Sequence, residues 1–134
     1  RDTTGLLIIT DDGALAHRIM SPSHHVYKTY EAVLKAPISN SDIALLESGI
    51  TLADGTECLP AKVKAFTVGG APAAEIKIKE GKYHQVKRMF AALGNHVEHL
   101  RRTRIGALHL DPDLAEGDCR ELTTEELALV FTDE

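Results

Sequence analysis

The sequence predicts an α+β fold, a mainly antiparallel mixed sheet with helices packed on it. Short segments of alternating apolar and polar residues recur along the chain, several are separated by turn sequences rather than helices, and one strongly amphipathic helix lies beyond the middle. The 134 residues, 43% of them hydrophobic, are sufficient for one core. We therefore expect a single domain over residues 1–134.

The first half of the chain predicts two strands and two short helices. Residues 6–10 form a continuous apolar run typical of a buried strand, and residues 14–20 predict a helix that ends at Ser21-Pro22. A second helix over residues 41–48 ends at Gly49. The alternation within residues 26–35 predicts a strand with Tyr30, Ala32 and Leu34 on one face and Thr29, Glu31 and Val33 on the other.

The second half predicts a hairpin, a helix, further strands and a last helix. Residues 61–66 and 75–79 alternate apolar residues with lysines, so each strand should bury one face, and Gly69-Gly70 predicts the turn between them. A helix over residues 83–93 ends at Gly94-Asn95, and one or two strands follow through residues 96–110. Residues 123–126 form a capping-box pattern before a helix that reaches about residue 131.

Charge is unevenly distributed along the chain. The 15 basic and 20 acidic residues give a net charge of −5, which argues against a general nucleic-acid binder. Residues 75–104 nevertheless hold eight Lys and Arg against three acids, whereas residues 105–134 hold nine acids and one Arg. A basic segment in an acidic chain is typical of a local contact with RNA, and a solvated charged surface explains the pattern equally well.

The amphipathic helix begins in a cationic segment. The sequence Gly81-Lys82-Tyr83-His84-Gln85-Val86-Lys87-Arg88-Met89-Phe90 places cations at a helix start, where unpaired N–H groups and the helix dipole attract phosphate. At about 100° per residue, Arg88 falls opposite the apolar face, so we expect it to meet solvent or RNA. Lys87 lies at the margin of that face, where its ammonium either has a carboxylate partner or, more commonly for lysines, extends along the surface to solvent.

Other sequence features restrict the function classes. No apolar run is long enough to span a bilayer and no signal-like start is present, so we expect a cytoplasmic protein. Cys58 and Cys119 are far apart in sequence and suggest buried thiols rather than a disulfide or a metal site. The histidines lack ligand partners at metal-binding spacing, so we expect no metal. The start at Arg1, close to a strand, suggests a fragment.

Five motifs resemble the RsuA family of RNA pseudouridine synthases and occur in that family's order. They are Asp2-Thr3-Thr4-Gly5-Leu6, Thr10-Asp11-Asp12-Gly13, Lys28-Thr29-Tyr30, residues 81–90, and Arg102-Thr103-Arg104-Ile105-Gly106. The resemblance runs over nearly the whole chain. Residues 24–30 and 83–88 are more similar to the branch that acts on small-subunit ribosomal RNA than to the large-subunit branches, which stay an alternative.

The resemblance implies a reaction without a cofactor. A uridine in RNA loses its glycosidic bond to N1, the base turns, and the bond re-forms through C5; an aspartate attacks either the sugar or the base. In the family this aspartate ends a Gly-Arg-Leu-Asp motif, which would lie immediately before Arg1, while Asp2 occupies a second, noncatalytic acidic position. We therefore expect the chain to lack both the nucleophile and the S4-like RNA-binding domain that usually precedes it, and to be inactive alone.

The resemblance also implies roles for residues within the chain. Tyr30 matches the active-site tyrosine, whose ring can stack on the flipped base and whose hydroxyl can help to move the C5 proton. Lys87 matches the basic residue that pairs with the aspartate. Ile105 matches an apolar residue beneath the target nucleotide, although a core isoleucine fits equally well. The expected RNA contacts are Lys82, Arg88, Arg101, Arg102 and Arg104, with His84 and Gln85 orienting the start of the helix.

The expected partner is ribosomal RNA or a ribosomal precursor particle, bound by a monomer that does not associate with membranes. Two other interpretations stay open. The chain could be a noncatalytic RNA-binding module, or a protein-docking domain that uses its acidic segment from Asp111 to Glu134. Restoring the upstream segment tests the first, and a salt titration of RNA binding tests the second.

Overall fold

The computed structural model describes residues 3–5, 26–79, 84–109 and 123–131, which contain six strands and three helices. In chain order these are β1 (Thr3–Gly5), β2 (Lys28–Leu34), α1 (Asn40–Ser48), β3 (Lys62–Val68), β4 (Ala71–Ile78), α2 (Gln85–Ala92), β5 (Val97–Ile105), β6 (Leu108–His109) and α3 (Thr124–Val130). The helix predicted over residues 14–20 lies outside the described residues, as do Lys82 and residues 6–10.

The strands form one mixed sheet in the order β1-β5-β2-β4-β3, with β6 paired to β5. Only β1 and β5 among the described pairs run parallel; the others are antiparallel. The turn between β3 and β4 has both glycines at positive φ, 55° at Gly69 and 84° at Gly70, as the twist of a two-residue hairpin requires. The predicted α+β class with a mainly antiparallel sheet is confirmed.

The two faces of β2 differ as its alternation predicts. Tyr30, Ala32 and Leu34 are buried on the side we name the core face. On the outer face Glu31 and Val33 are half-buried, whereas Thr29 is buried as well, with 1% of its surface exposed. The main core lies on the core face and includes side chains from β4, β5, α1 and α2: Ile76, Ile78, Leu100, Leu46, Val86, Met89 and Phe90. A second cluster consists of Val26, Ile105, Leu108 and Val130 with Phe131 beside them.

Helix ends follow local sequence signals. The Thr123 hydroxyl accepts from the Glu126 N–H and the Glu126 carboxylate accepts from the Thr123 N–H, which confirms the predicted capping box before α3. Ser39 and Asp42 make the same reciprocal pair before α1, a signal that the sequence reading missed. Helix α2 is two residues shorter at its start than predicted, because His84 adopts a left-handed conformation with φ 47°.

The hairpin strands bury unequal amounts of side chain. Strand β4 buries Ile76 and Ile78 and turns Lys77 outward, as predicted. Strand β3 contributes only Val63 to the margin of the core, because it is the edge strand and most of its side chains are exposed. Cys58 is buried, as expected, and Cys119 lies outside the described residues. None of the helices in the described ranges has the length and apolarity to cross a membrane.

Candidate active site

Tyr30 lies at the centre of the sheet with its hydroxyl bound by an arginine. The residue is only 9% exposed, and its ring is part of the main core. Arg102 on the neighbouring strand β5 donates from Nη1 to the Tyr30 hydroxyl over 3.2 Å, and the guanidinium carbon is 5.8 Å from the ring centroid. The phenol is therefore held in one orientation by packing on its ring and by a cation at its oxygen.

A β-bulge brings Arg102 to this position. Thr29 pairs with Arg104, and regular antiparallel pairing would then place Tyr30 opposite Thr103, but the register shifts here and Tyr30 pairs with Arg102. The Thr103 hydroxyl donates to the Thr29 carbonyl over 3.3 Å within the shifted region. Bulges of this kind redirect side chains, and here the result is a guanidinium on the core face.

Lys28 is a buried cation two residues before Tyr30 on the same face of β2. It is 1% exposed, and its ammonium donates to the Lys79 carbonyl over 3.1 Å. A buried ammonium is costly unless hydrogen bonds satisfy it, so this lysine is held firmly at the end of the strand. In the sequence Lys28 stands out only as part of the Lys28-Thr29-Tyr30 motif, and alternation alone does not indicate that its side chain is buried.

The start of α2 has a constrained backbone. His84 is the only non-glycine residue with positive φ in the described part of the chain, a conformation that costs of order 1 kcal/mol or more and often occurs at functional sites. Gln85, expected to help orient this segment, is buried, and its amide donates to the Met89 sulfur over 3.6 Å. The Gln85 side chain therefore supports the packing of α2 from inside.

The two cations that follow on α2 have different surroundings. Lys87 is half-buried, in agreement with its place at the margin of the apolar face. Arg88, expected to face solvent or RNA, is 33% exposed and forms a 2.5 Å ion pair with Asp54 in the loop between α1 and β3. Hydrogen bonds from the side chain and backbone of Thr56, and then from Arg88, lower the pKa of Asp54 to about 2. The contact joins residues 34 apart, so no local pattern indicates it.

The remaining predicted contacts on β5 are separated by the sheet. Arg101 is exposed opposite Glu31, and Arg104 pairs with Glu75 at 3.4 Å on the same outer face. Ile105 is buried in the second cluster, which is the core position left open as its alternative. Of the predicted residues, the described structure brings Tyr30 and Arg102 into contact, and Lys82 lies outside the described residues. Within the described ranges, His, Cys, Asp and Glu side chains form no group of three that could hold a metal ion.

Comparisons with known proteins show which family the chain belongs to. Residues 1–92 match the RNA pseudouridylate synthase family. The chain is 50% identical over 131 residues to YtzG of Bacillus subtilis, named an uncharacterized RNA pseudouridine synthase, covering 97% of this chain and 55% of that protein. It is 47% identical over 130 residues to the ribosomal small subunit pseudouridine synthase A of Escherichia coli, covering 96% of this chain and 55% of that protein.

A solved structure gives the same result. A crystal structure of a pseudouridylate synthase superposes with a TM-score of 0.86 and 45% identity, covering 96% of this chain and 55% of that one. The chain thus spans about half the length of the curated relatives it matches. Since the family match includes both Tyr30 and Lys87 and the fold superposes over nearly the whole chain, the protein belongs to the RNA pseudouridylate synthase family.

Proposed function

We propose that this chain forms most of the catalytic domain of an enzyme that isomerises uridine to pseudouridine in small-subunit ribosomal RNA. The observation that best supports this proposal concerns Tyr30, which matches the family's active-site tyrosine. It is buried, and Arg102 binds its hydroxyl. Relatives that are 47% to 50% identical carry the name ribosomal small subunit pseudouridine synthase A, which supports this substrate. We also propose that the enzyme is a monomer and that it acts in the cytoplasm, where it would meet this substrate.

Tyr30 supplies a fixed surface for the target base and a hydroxyl beside it. The reaction breaks the C1′–N1 bond, forms a C1′–C5 bond, adds a proton at N1 and removes one from C5. Because Arg102 donates to one lone pair of the phenol oxygen, the phenol hydrogen points away from the guanidinium and the oxygen retains a second lone pair. The hydroxyl can therefore exchange a proton near C5 without moving its ring.

Lys87 serves as the partner of the nucleophile in this proposal. In this proposal the nucleophile is an aspartate that would lie immediately before Arg1 in a longer protein. The relatives are almost twice the length of this chain, so a protein as long as they are has room for it. Strand β1 supports a site near the start of the chain, since it runs beside β5 with Gly5 opposite Arg102. A half-buried ammonium near that carboxylate would keep it ionised and ready to attack.

The test compares this chain with a version extended upstream through the Gly-Arg-Leu-Asp segment and the S4-like domain. Each protein is incubated with transcripts of small-subunit and large-subunit ribosomal RNA, and pseudouridine is measured in both. We expect product in the small-subunit RNA from the extended protein, and none after its aspartate is changed to Asn. Product confined to the large-subunit RNA would reassign the substrate, and RNA binding without product would favour a noncatalytic module.

A further inference from the structure

The outer face of the sheet carries a group of lysines around a tyrosine ring. We name this group the lysine cluster: Lys62 and Lys64 on β3, Lys77 on β4 and Lys79 just after it. Tyr27 lies between two of them, with the Lys62 ammonium 4.9 Å and the Lys79 ammonium 5.5 Å from its ring centroid. The ring is half-buried, so the two ammonium groups lie close to an aromatic surface that packing holds in place.

The sheet register brings these cations together against their mutual repulsion. Lys62 pairs directly with Lys77, and like charges opposite each other on neighbouring strands destabilise a sheet. Glu75 faces Lys64 on the next pair, but its carboxylate is also bound by Arg104 at 3.4 Å. A concentration of ammonium groups in a chain of net charge −5 therefore weakens the sheet that carries it. A polyanion bound on this face would relieve that repulsion.

The charge balance of the whole outer face supports a polyanion. Among the described residues that pair on this face of β2 to β5, two are carboxylates, Glu31 and Glu75, and five are cationic: Lys62, Lys64, Lys77, Arg101 and Arg104, with Lys79 directly after β4. Lys62 and Lys64 are exposed on the edge strand, about 7 Å apart along it. A line of ammonium groups at this spacing can follow the phosphates of one nucleic-acid strand.

We propose that the lysine cluster binds the phosphate backbone of RNA, at a place separate from the site of the target nucleotide. Tyr30 lies on the core face, whereas the cluster lies on the outer face, so the two contact different parts of the RNA. The cluster reads no base, because lysines on phosphates add affinity and orientation without sequence preference. The proposal rests on the proposed function in that it takes ribosomal RNA as the substrate.

The experiment uses the extended protein and measures RNA affinity from 0.05 to 0.3 M salt. Two probes are compared, the small-subunit ribosomal RNA transcript and an unrelated RNA duplex of about 20 base pairs. The variants are Lys62→Ala, Lys64→Ala and the double change, with Lys35→Ala as matched control because Lys35 is an exposed lysine at the other end of β2. Circular dichroism confirms that each variant is folded.

We expect the double variant to bind both RNAs about tenfold more weakly at 0.1 M salt and to lower the salt slope by about 1.5, since each lost phosphate contact removes 0.7 to 0.9. Lys35→Ala should leave slope and affinity as in the wild type, and pseudouridine formation at saturating RNA should be unchanged in all variants. Loss limited to the small-subunit transcript would contradict backbone recognition.

The outcomes separate this proposal from the proposed function. If the wild type forms pseudouridine and the double variant matches Lys35→Ala in affinity and slope, the lysine cluster has no role in RNA binding, although the enzyme is a synthase. If the slope falls as expected while no pseudouridine forms, the cluster binds RNA and the proposed activity is wrong. A wild type that binds neither probe would overturn both.

Discussion

Removing Arg102 should slow pseudouridine formation through its effect on Tyr30. The guanidinium donates to the phenol oxygen over 3.2 Å and lies 5.8 Å from the ring centroid. A hydrogen bond from a charged donor contributes about 1.5 kcal/mol at the lower end of its range, and we use this value because Arg102 is only half-buried. A cation near an aromatic ring adds about 0.5 kcal/mol. If the sum of about 2 kcal/mol that orients the Tyr30 phenol is lost from the transition state, the rate falls about thirtyfold.

The assay measures single-turnover pseudouridine formation by the extended protein, together with the KM for small-subunit ribosomal RNA. Arg102→Ala should lower kcat about thirtyfold with a small change in KM, and Arg102→Lys should recover part of the rate by restoring a cation. The sequence instead predicts that Arg102 contacts an RNA phosphate. That role predicts a raised KM, a lower salt slope and an unchanged kcat, so the two roles give opposite results.

A double-mutant cycle with Tyr30→Phe makes the reasoning refutable. If Arg102 acts through the phenol oxygen, Arg102→Ala should slow the reaction little further in the Tyr30→Phe variant, which lacks that oxygen. The coupling energy between the two changes should then be about 1 to 2 kcal/mol, since the contact itself contributes ~2 kcal/mol. Strictly additive effects on kcat would show that Arg102 acts independently of the Tyr30 hydroxyl. The positioning role derived from the bulge would then be wrong.

Three further predictions concern other parts of the chain. Gly106→Ala should lower the free energy of unfolding by about 3 kcal/mol in urea titrations, since Gly106 has φ 59° and an added Cβ would overlap the Val130 carbonyl; an unchanged midpoint would contradict this packing. Because its pKa is lowered to about 2, Asp54 stabilises the folded state above its unfolded pKa near 4, and this contribution disappears as pH falls through 2. Asp54→Asn should therefore flatten the loss of stability between pH 4 and pH 2, and an identical pH profile would argue against it. In the extended protein Lys87→Ala should reduce turnover far more than RNA affinity, and Arg88→Ala should reduce RNA affinity far more than turnover. Asp54→Asn removes the carboxylate that pairs with Arg88 and should therefore strengthen RNA binding in a filter-binding titration. If Lys87→Ala and Arg88→Ala changed turnover and affinity equally, the division of roles between these two residues would be wrong.

The elements that the sequence predicts well are those specified by neighbouring residues. Alternation is sufficient for β2, two glycines for the turn after β3, and a Thr and a Glu three residues apart for the start of α3. The half-exposed Arg88 shows where this reasoning stops. Its place opposite the apolar face of α2 is correct, but its partner Asp54 comes from a loop 34 residues earlier, and only the tertiary fold brings them together.

Strand β5 shows why a site is harder to predict than a strand. By simple alternation, Arg102 and Arg104 would share one face and Arg101 would lie on the other. In the structure Arg101 and Arg104 face the outer residues Glu31 and Thr29, and Arg102 pairs with Tyr30 on the core face.

The difference arises from one extra residue. Thr103 lies where the register with β2 shifts, so the residues before and after it are out of phase. Three neighbouring arginines that have the same charge and the same apparent role in the sequence are thereby divided between an outer surface and the tyrosine of the candidate site. Since a bulge depends on how two strands 72 residues apart pair, the contact between Arg102 and Tyr30 follows from the sheet and not from either strand alone.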